Sequence, residues 1–285
     1  MKANATSNTR LSVLKTLLIT LIVSALGFSC SQDEFENNGD PEDNALTEAE
    51  VQEDYFNDDT EEITLSAIST DDFSGGKAAN TDERLQCAVV TRTGDENSGT
   101  IVIDFGTGCT GERGNVRRGK IIISYIGRWN VAGSYWTVTG ENYFINNIAV
   151  EGLRMVRNIS TSEDVLAFEV TMENGRLTFP DGAVATRIVH KKRELERDSN
   201  GILKRLIIYG TAEGNNRNGR GYQVEILERL VYDRACEDVF IPVSGKKLIK
   251  HGQREITIDY GNGECDNVVV ITNKNGRSWR FNVGK

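Results

Sequence analysis

Histidine, proline and methionine are scarce: 2 His, 3 Pro and 3 Met in 285 residues. Two histidines and no Cys-x-x-Cys pair leave a zinc centre, or catalysis built on His, without its parts. Only one long apolar run exists, at the extreme N-terminus, which excludes a polytopic membrane protein. Collagen-like and coiled-coil bias are missing too. With 26% charged and 38% apolar residues, the composition is that of a folded chain.

The N-terminus reads as an export signal. Lys2, Arg10 and Lys15 precede the apolar stretch Leu17–Leu26. That core is about ten residues, too short to cross a hydrocarbon layer that needs roughly 20. The segment ends Gly27-Phe28-Ser29-Cys30, a small residue directly before Cys, which is the pattern of a bacterial lipoprotein signal. Residues 1–29 are then a signal peptide, and Cys30 becomes a lipidated N-terminus. Gly27 departs from the stricter pattern, which has an aliphatic residue there; the competing reading is a secretory peptide with a chance Cys. Ser31-Gln32-Asp33-Glu34-Phe35-Glu36 resembles the acidic tag that follows the lipidated Cys in surface-exported lipoproteins of Bacteroidota. That resemblance implies an outer-membrane location facing the cell exterior.

Four cysteines remain beyond Cys30: Cys87, Cys109, Cys236 and Cys265. An even number in an oxidising compartment points to two disulfides, with three connectivities open. Charge divides the chain sharply. Residues 31–83 carry 18 acidic residues and one Lys, whereas 84–285 carry a net charge of +5. An acidic tether, residues 30–83, therefore precedes a mildly basic body. Thr47-Glu48-Ala49-Glu50 fits a capping box, and Val51, Tyr55 and Phe56 share a helical face behind it. These signals predict one or two short helices that could dock on the body, followed by a flexible joint at Ser74–Asn80.

From residue 84 the periodicity becomes two. In Thr100–Phe105, Ile101, Ile103 and Phe105 face one way; in Glu255–Tyr260, Ile256, Ile258 and Tyr260 do the same. Breaks such as Glu173-Asn174-Gly175, Asp181-Gly182, Asn218-Gly219 and Asn275-Gly276 are hairpin signals, because Asn-Gly tolerates the positive φ that tight turns require. The spacing predicts 13–15 strands and no helix after residue 80. The fold class is thus all-β: a large antiparallel structure built as a curved sheet, sandwich or barrel. A weak duplication lies within it. Ile101–Gly108 matches Ile256–Gly263, each with one Cys upstream and another just after. The parallel placement pairs Cys87 with Cys109 and Cys236 with Cys265, and raises two related halves at about 84–160 and 161–285.

Several motifs together resemble a family of uncharacterised Bacteroidota outer-membrane lipoproteins. They are Asp104-Phe105-Gly106-Thr107-Gly108-Cys109, Arg117-Arg118-Gly119-Lys120-Ile121, Glu151-Gly152-Leu153-Arg154 and Asn216-Arg217-Asn218-Gly219-Arg220. The likeness extends over most of residues 45–285. It implies the same address and a β body, and no activity.

Other patterns fail on context. Gly106–Gly111 spells Gly-x-Gly-x-x-Gly, but a strand rather than a helix should follow, so no phosphate-binding helix N-terminus is available. Asp104 and Asp259 each stand before Gly-x-Gly with few carboxylates nearby, too few for calcium, and serve better as acceptors of turn N–H groups. The basic run around His190 (Val189-His190-Lys191-Lys192-Arg193) reads as a solvated strand end or hairpin edge, not a nucleic-acid contact. His251 falls in an exposed turn. No cofactor, metal site or catalytic residue is assigned. The aromatics Trp129, Tyr135, Trp136 and Tyr143 cluster across two strands and are candidates for stacking on a sugar or partner, against the competing reading that they are core. The expectation is a lipid-anchored β-protein with a non-enzymatic binding or structural role, whose partners are the membrane and a glycan or envelope protein. The alternatives are a polysaccharide hydrolase using a carboxylate pair, and a carrier of apolar ligands.

Overall fold

The computed structural model describes residues 39–69, 82–111, 114–162, 165–200, 202–236 and 239–283. The signal segment, Cys30, the acidic tag and the joint at Ser74–Asn80 lie outside the described residues.

The first element among the described residues is a helix, α1, Pro41–Ile68. Its start is set by Asp40, whose Oδ1 accepts from Glu42 N at 2.9 Å, by Pro41 in the first turn, and by Glu42 and Asp43 beside the helix dipole's positive end. The capping box at Thr47 is not a start. Thr47 lies inside the helix and donates its hydroxyl to Asp43 O at 3.0 Å, while the Glu50 carboxylate binds cations of the sheet. One helix of 28 residues, roughly 42 Å at 1.5 Å per residue, thus replaces the one or two short helices read from the sequence. A short 3-10 turn follows at Glu83–Leu85.

Among the described residues fourteen strands follow. They are β1 Val89–Gly94, β2 Ser98–Asp104, β3 Cys109–Thr110, β4 Val116–Ile126, β5 Tyr135–Ile145, β6 Ile148–Asn158 and β7 Val165–Thr178, then β8 Val184–Arg197, β9 Leu203–Asn215, β10 Gly221–Asp233, β11 Ser244–His251, β12 Arg254–Asn262, β13 Val268–Asn273 and β14 Ser278–Asn282. All belong to one open antiparallel sheet in which each strand pairs with the next in the chain, except that β2 pairs with β4 and β3 adds to β4. The two halves expected from the duplication are therefore segments of one sheet. The repeated element is local: a hairpin ending in Gly-x-Gly. In both copies the aspartate accepts from the glycine two residues on, Asp104 from Gly106 N at 2.8 Å and Asp259 from Gly261 N at 3.0 Å. Both glycines have positive φ, +61° and +87°. Disulfides Cys87–Cys109 and Cys236–Cys265 bracket the two hairpins.

The sheet curls around α1. Asp54 takes Lys247 on β11, and Asp59, little more than one turn later, takes Arg117 on β4. Those strands stand seven places apart, about 34 Å across a flat sheet at ~4.8 Å per strand. Only a strongly coiled sheet brings both to one helix. From Glu53 to the end of α1 no residue is exposed, while Pro41, Ala45, Glu48 and Gln52 form one solvent-facing strip near its start. Beyond the charged residues, Phe56, Ile63, Ala67 and Ile68 of α1 join Ile101, Ile103, Ile121, Ile123, Val138, Phe168 and Ile258 of the sheet in a single core.

Candidate functional site

The strands' period of two sends a cation inward at several places where the pattern calls for an apolar residue. On β8 the inward series is Ala185, Arg187, Val189, Lys191, Arg193 and Leu195. The basic run around His190 is thereby split: Lys191 and Arg193 point at the helix, His190 and Lys192 at solvent. It lies within an interior strand of the sheet, not at a hairpin edge, because a hydrogen-bonded neighbour flanks β8 on either side. Arg187 clasps Glu50 and Glu53 at 2.9 Å and Asp54 at 3.0 Å. Lys247 on β11 binds Glu50 at 3.0 Å and also Asp54. Lys191 reaches Asp58 at 2.8 Å, and Arg193 reaches Glu61 at 2.7 Å. Arg254 on β12 gathers Asp40, Glu42 and Asp43 at the mouth, and Arg84 and Arg234 share Glu62. Of α1's ten carboxylates and no cations, most are matched in this way.

Burial raises Glu50, Glu53, Asp54, Asp58, Asp59 and Glu62, and the local cations decide the outcome. Arg187 and Lys247 overcome it at Glu50, which is held far below the usual carboxylate range. Asp58 is lowered by Lys191 and Arg193, and Glu62 by Arg234 and Arg84. At Glu53, Asp54 and Asp59 burial wins and the carboxyls are raised, despite Arg187, Lys247 and Arg117 respectively. Arg154 on β6 is the exception among the cations. It donates to Asn57 Oδ1 at 2.6 Å, makes no ion pair with α1, and burial lowers its pKa.

Two of the resembling motifs acquire a physical meaning here. Arg117 lies two residues before Gly119, and Arg154 two residues after Gly152; both arginines reach α1. Both glycines sit at register breaks with positive φ, +80° and +134°. The bulges turn each strand so that an inward Arg is aimed at the helix. Sequence reasoning missed these cations as a site. The available signal was a tract of 18 acids with one Lys preceding a basic body whose strands place Arg and Lys in the inward phase.

The predicted aromatics divide. Trp136 and Tyr143 are core, 2% and 3% exposed, packed on Phe168 and Phe105. That corrects their candidacy as binding residues: a register break between Val138 and Phe144 resets the alternation of β5, so that both rings, seven residues apart, turn into the space between sheet and helix. Trp129 and Tyr135 are half-buried near one end of the sheet, and the Arg197 guanidinium stands 5.2 Å from the Trp129 ring. His251 closes β11, is buried, and lies 2.9 Å from Asn216 Nδ2, rather than standing in an exposed turn.

Beside α1 lies a cavity of about 100 Å³ lined by Asp54, Asp58, Asp59, Glu62, Arg117 and Tyr232 among others. A second feature is on the outer face. Two adjoining hollows, about 310 and 840 Å³, cross β8 to β11 and share Ile188, Glu213, Gln223 and Lys250. These four are cross-strand neighbours in one row, Ile188 opposite Glu213, Glu213 opposite Gln223, and Gln223 opposite Lys250.

The class defined by these features is an antiparallel sheet coiled around one acidic helix, with a polar groove on its outer face. No family model, curated protein or solved structure matches the chain.

Proposed function

We propose that this chain is a lipid-anchored outer-membrane protein, facing the cell exterior, with a non-enzymatic binding role carried by the outer face of its sheet. The observation that carries the binding role is the groove over β8–β11, whose volume falls in the range of ligand sites. The interior, by contrast, is committed to the protein itself, since the inward cations are taken up by α1.

The anchored state has a geometric consequence. Cys30 precedes Gly39 by nine residues, a reach of at most about 30 Å, because the acidic tract beyond Gly39 is spent inside the body. The body would stand close to the membrane instead of at the end of a 54-residue tether.

A hydrolase is the second reading, and one observation favours it. Asp54 and Asp58 line one cavity while their pKa values move in opposite directions, up and down, the pattern of an acid–base pair. Each is nevertheless tied to a Lys, and about 100 Å³ is small for a sugar chain. An apolar carrier would need a roomy apolar hollow, whereas the interior space beside α1 is about 100 Å³ and mixes eight charged side chains with its apolar lining.

Replacing Cys30 by Ala tests the anchor: the protein should leave the membrane fraction, and unchanged fractionation would sink it. Protease treatment of intact cells tests the orientation, with loss of the body expected. Survival until the outer membrane is breached would put the body in the periplasm.

A further inference from the structure

Strands β8 to β11 are interior strands, so their backbone N–H and C=O groups are engaged by neighbours on either side. A ligand on their outer face meets side chains only, and addition of a peptide strand to an edge does not apply. The side chains form two transverse rows. One is Ile188, Glu213, Gln223 and Lys250. The next is His190, Thr211, Glu225 and Leu248, in register across the same strands. Glu213, Gln223, Glu225, His190 and Lys250 are all exposed, and none makes a side-chain hydrogen bond or ion pair with another described residue. The contrast with adjacent outward charges is plain: Arg229 holds Glu194 at 2.9 Å, and Lys246 holds Glu228 at 2.8 Å.

The floor is shaped by backbone. Gly210 on β9 has φ +141°, and a Cβ there would lie 2.3 Å from His190 O. Just beyond the second row, β10 carries extra residues relative to β9 between Glu225 and Leu230. Such bulges bend the strands and deepen the twist where the hollows begin.

The chemistry of this surface selects its ligand. Two carboxylates and one ammonium leave no strong field of either sign, which removes a polyanion or a polycation as the natural occupant. Of the eight side chains in the two rows only Ile188 and Leu248 are apolar, and they stand at diagonally opposite corners, so the rows offer no continuous apolar patch to a greasy ligand. What remains is a set of uncommitted acceptors and donors repeated at strand spacing. Glu213 and Glu225 accept, Lys250 donates, and Gln223 at the centre does both. We infer that this groove binds an oligosaccharide, its hydroxyls bridging Glu213, Gln223, Glu225 and Lys250 while Ile188 and Leu248 meet its C–H faces. The inference rests on the binding role proposed above and names the ligand class of that site.

The test uses the full-length protein in mild detergent, screened on an array of neutral and acidic oligosaccharides, with titration calorimetry on the strongest glycan found. Gln223→Ala and Lys250→Ala should each weaken binding about tenfold, the loss of one or two hydrogen bonds, with unchanged thermal unfolding. Lys192→Ala, outward on β8 but outside both rows, should bind as the wild type does. No bound glycan on the array, or undiminished binding by Gln223→Ala and Lys250→Ala, would overturn the assignment. So would an extended peptide whose binding, unlike that of sugars, depends on Gln223. A protein that stays with the membrane yet binds no glycan defeats the groove alone. One that binds glycan but leaves the membrane after fractionation defeats the anchor alone.

Discussion

At the residue scale, the inward cations matter more through what their loss would leave behind than through the attraction they add. Moving an ion pair out of water carries a desolvation cost that its mutual attraction often only offsets, so a buried pair is weak evidence of net stability. Removing one partner is different, because a lone charge then stays in a medium that cannot solvate it. Lys247 is 2% exposed, and Glu50, which it shares with Arg187, is 4% exposed. Lys247→Met should therefore destabilise by about 3–5 kcal/mol, read as a lowered urea midpoint. The outward pair Arg229–Glu194, with Arg229 59% exposed, offers the control. Arg229→Ala should change stability by no more than about 1 kcal/mol. Equal effects from the two substitutions would mean that the interior is wetter than its burial indicates.

At the scale of elements, the helix carries the lesson. A helix enclosed by a sheet is ordinarily apolar on every side, whereas α1 is polar almost all round and is identified by sequence as a tether. Strand content, approximate strand number and the turns at Asn218 and Asn275 were legible because alternation and Asn-Gly turns are local signals; Asn174-Gly175, read in the same way as a hairpin, is instead a bulge inside β7. The pairing of cysteines was legible too, since it follows from two like hairpins, one at an edge of the sheet and one two strands short of the other edge. The destination of α1 was not legible, because what holds it is complementary charge between segments more than 130 residues apart, as in Glu50 and Arg187. The binding potential of Trp136 and Tyr143 was misjudged for a related reason: alternation separates the two faces of a strand but does not say which is covered. The helix end does carry an apolar anchor, since Ile63 is 0% exposed. Ile63→Ala should cost about 2–5 kcal/mol. Backbone amides of residues 53–68 should exchange with solvent as slowly as those of β7 and β8, through global unfolding only. Fast exchange in α1 beside a protected sheet would mean that the helix docks as a separate, reversible unit.

Across the whole molecule, the same interior sets how stability varies with pH, and two groups of carboxyls pull in opposite directions. Glu53, Asp54 and Asp59 are raised, by burial above all, so the folded protein takes up their protons at higher pH than the unfolded chain does. Stability from these groups grows as the pH falls through their folded values toward the ordinary carboxylate range near ~4. Glu50, Asp58 and Glu62 are lowered, because their cations outweigh burial. Their contribution is fully present above the ordinary range and is lost as the pH drops through it toward their folded values. The unfolding midpoint should accordingly rise from neutral pH to a maximum in weak acid, just above the ordinary carboxylate range, and then fall steeply. Urea titrations from pH 8 to 3 would trace this curve. A steady decline from neutrality would mean that burial does not raise Glu53, Asp54 and Asp59. A curve still flat at pH 3 would mean that Arg187, Lys247 and Lys191 do not hold the helix by charge. Lys247→Met separates the two limbs: with only Arg187 left at Glu50, the acid limb should become smaller and be complete at higher pH.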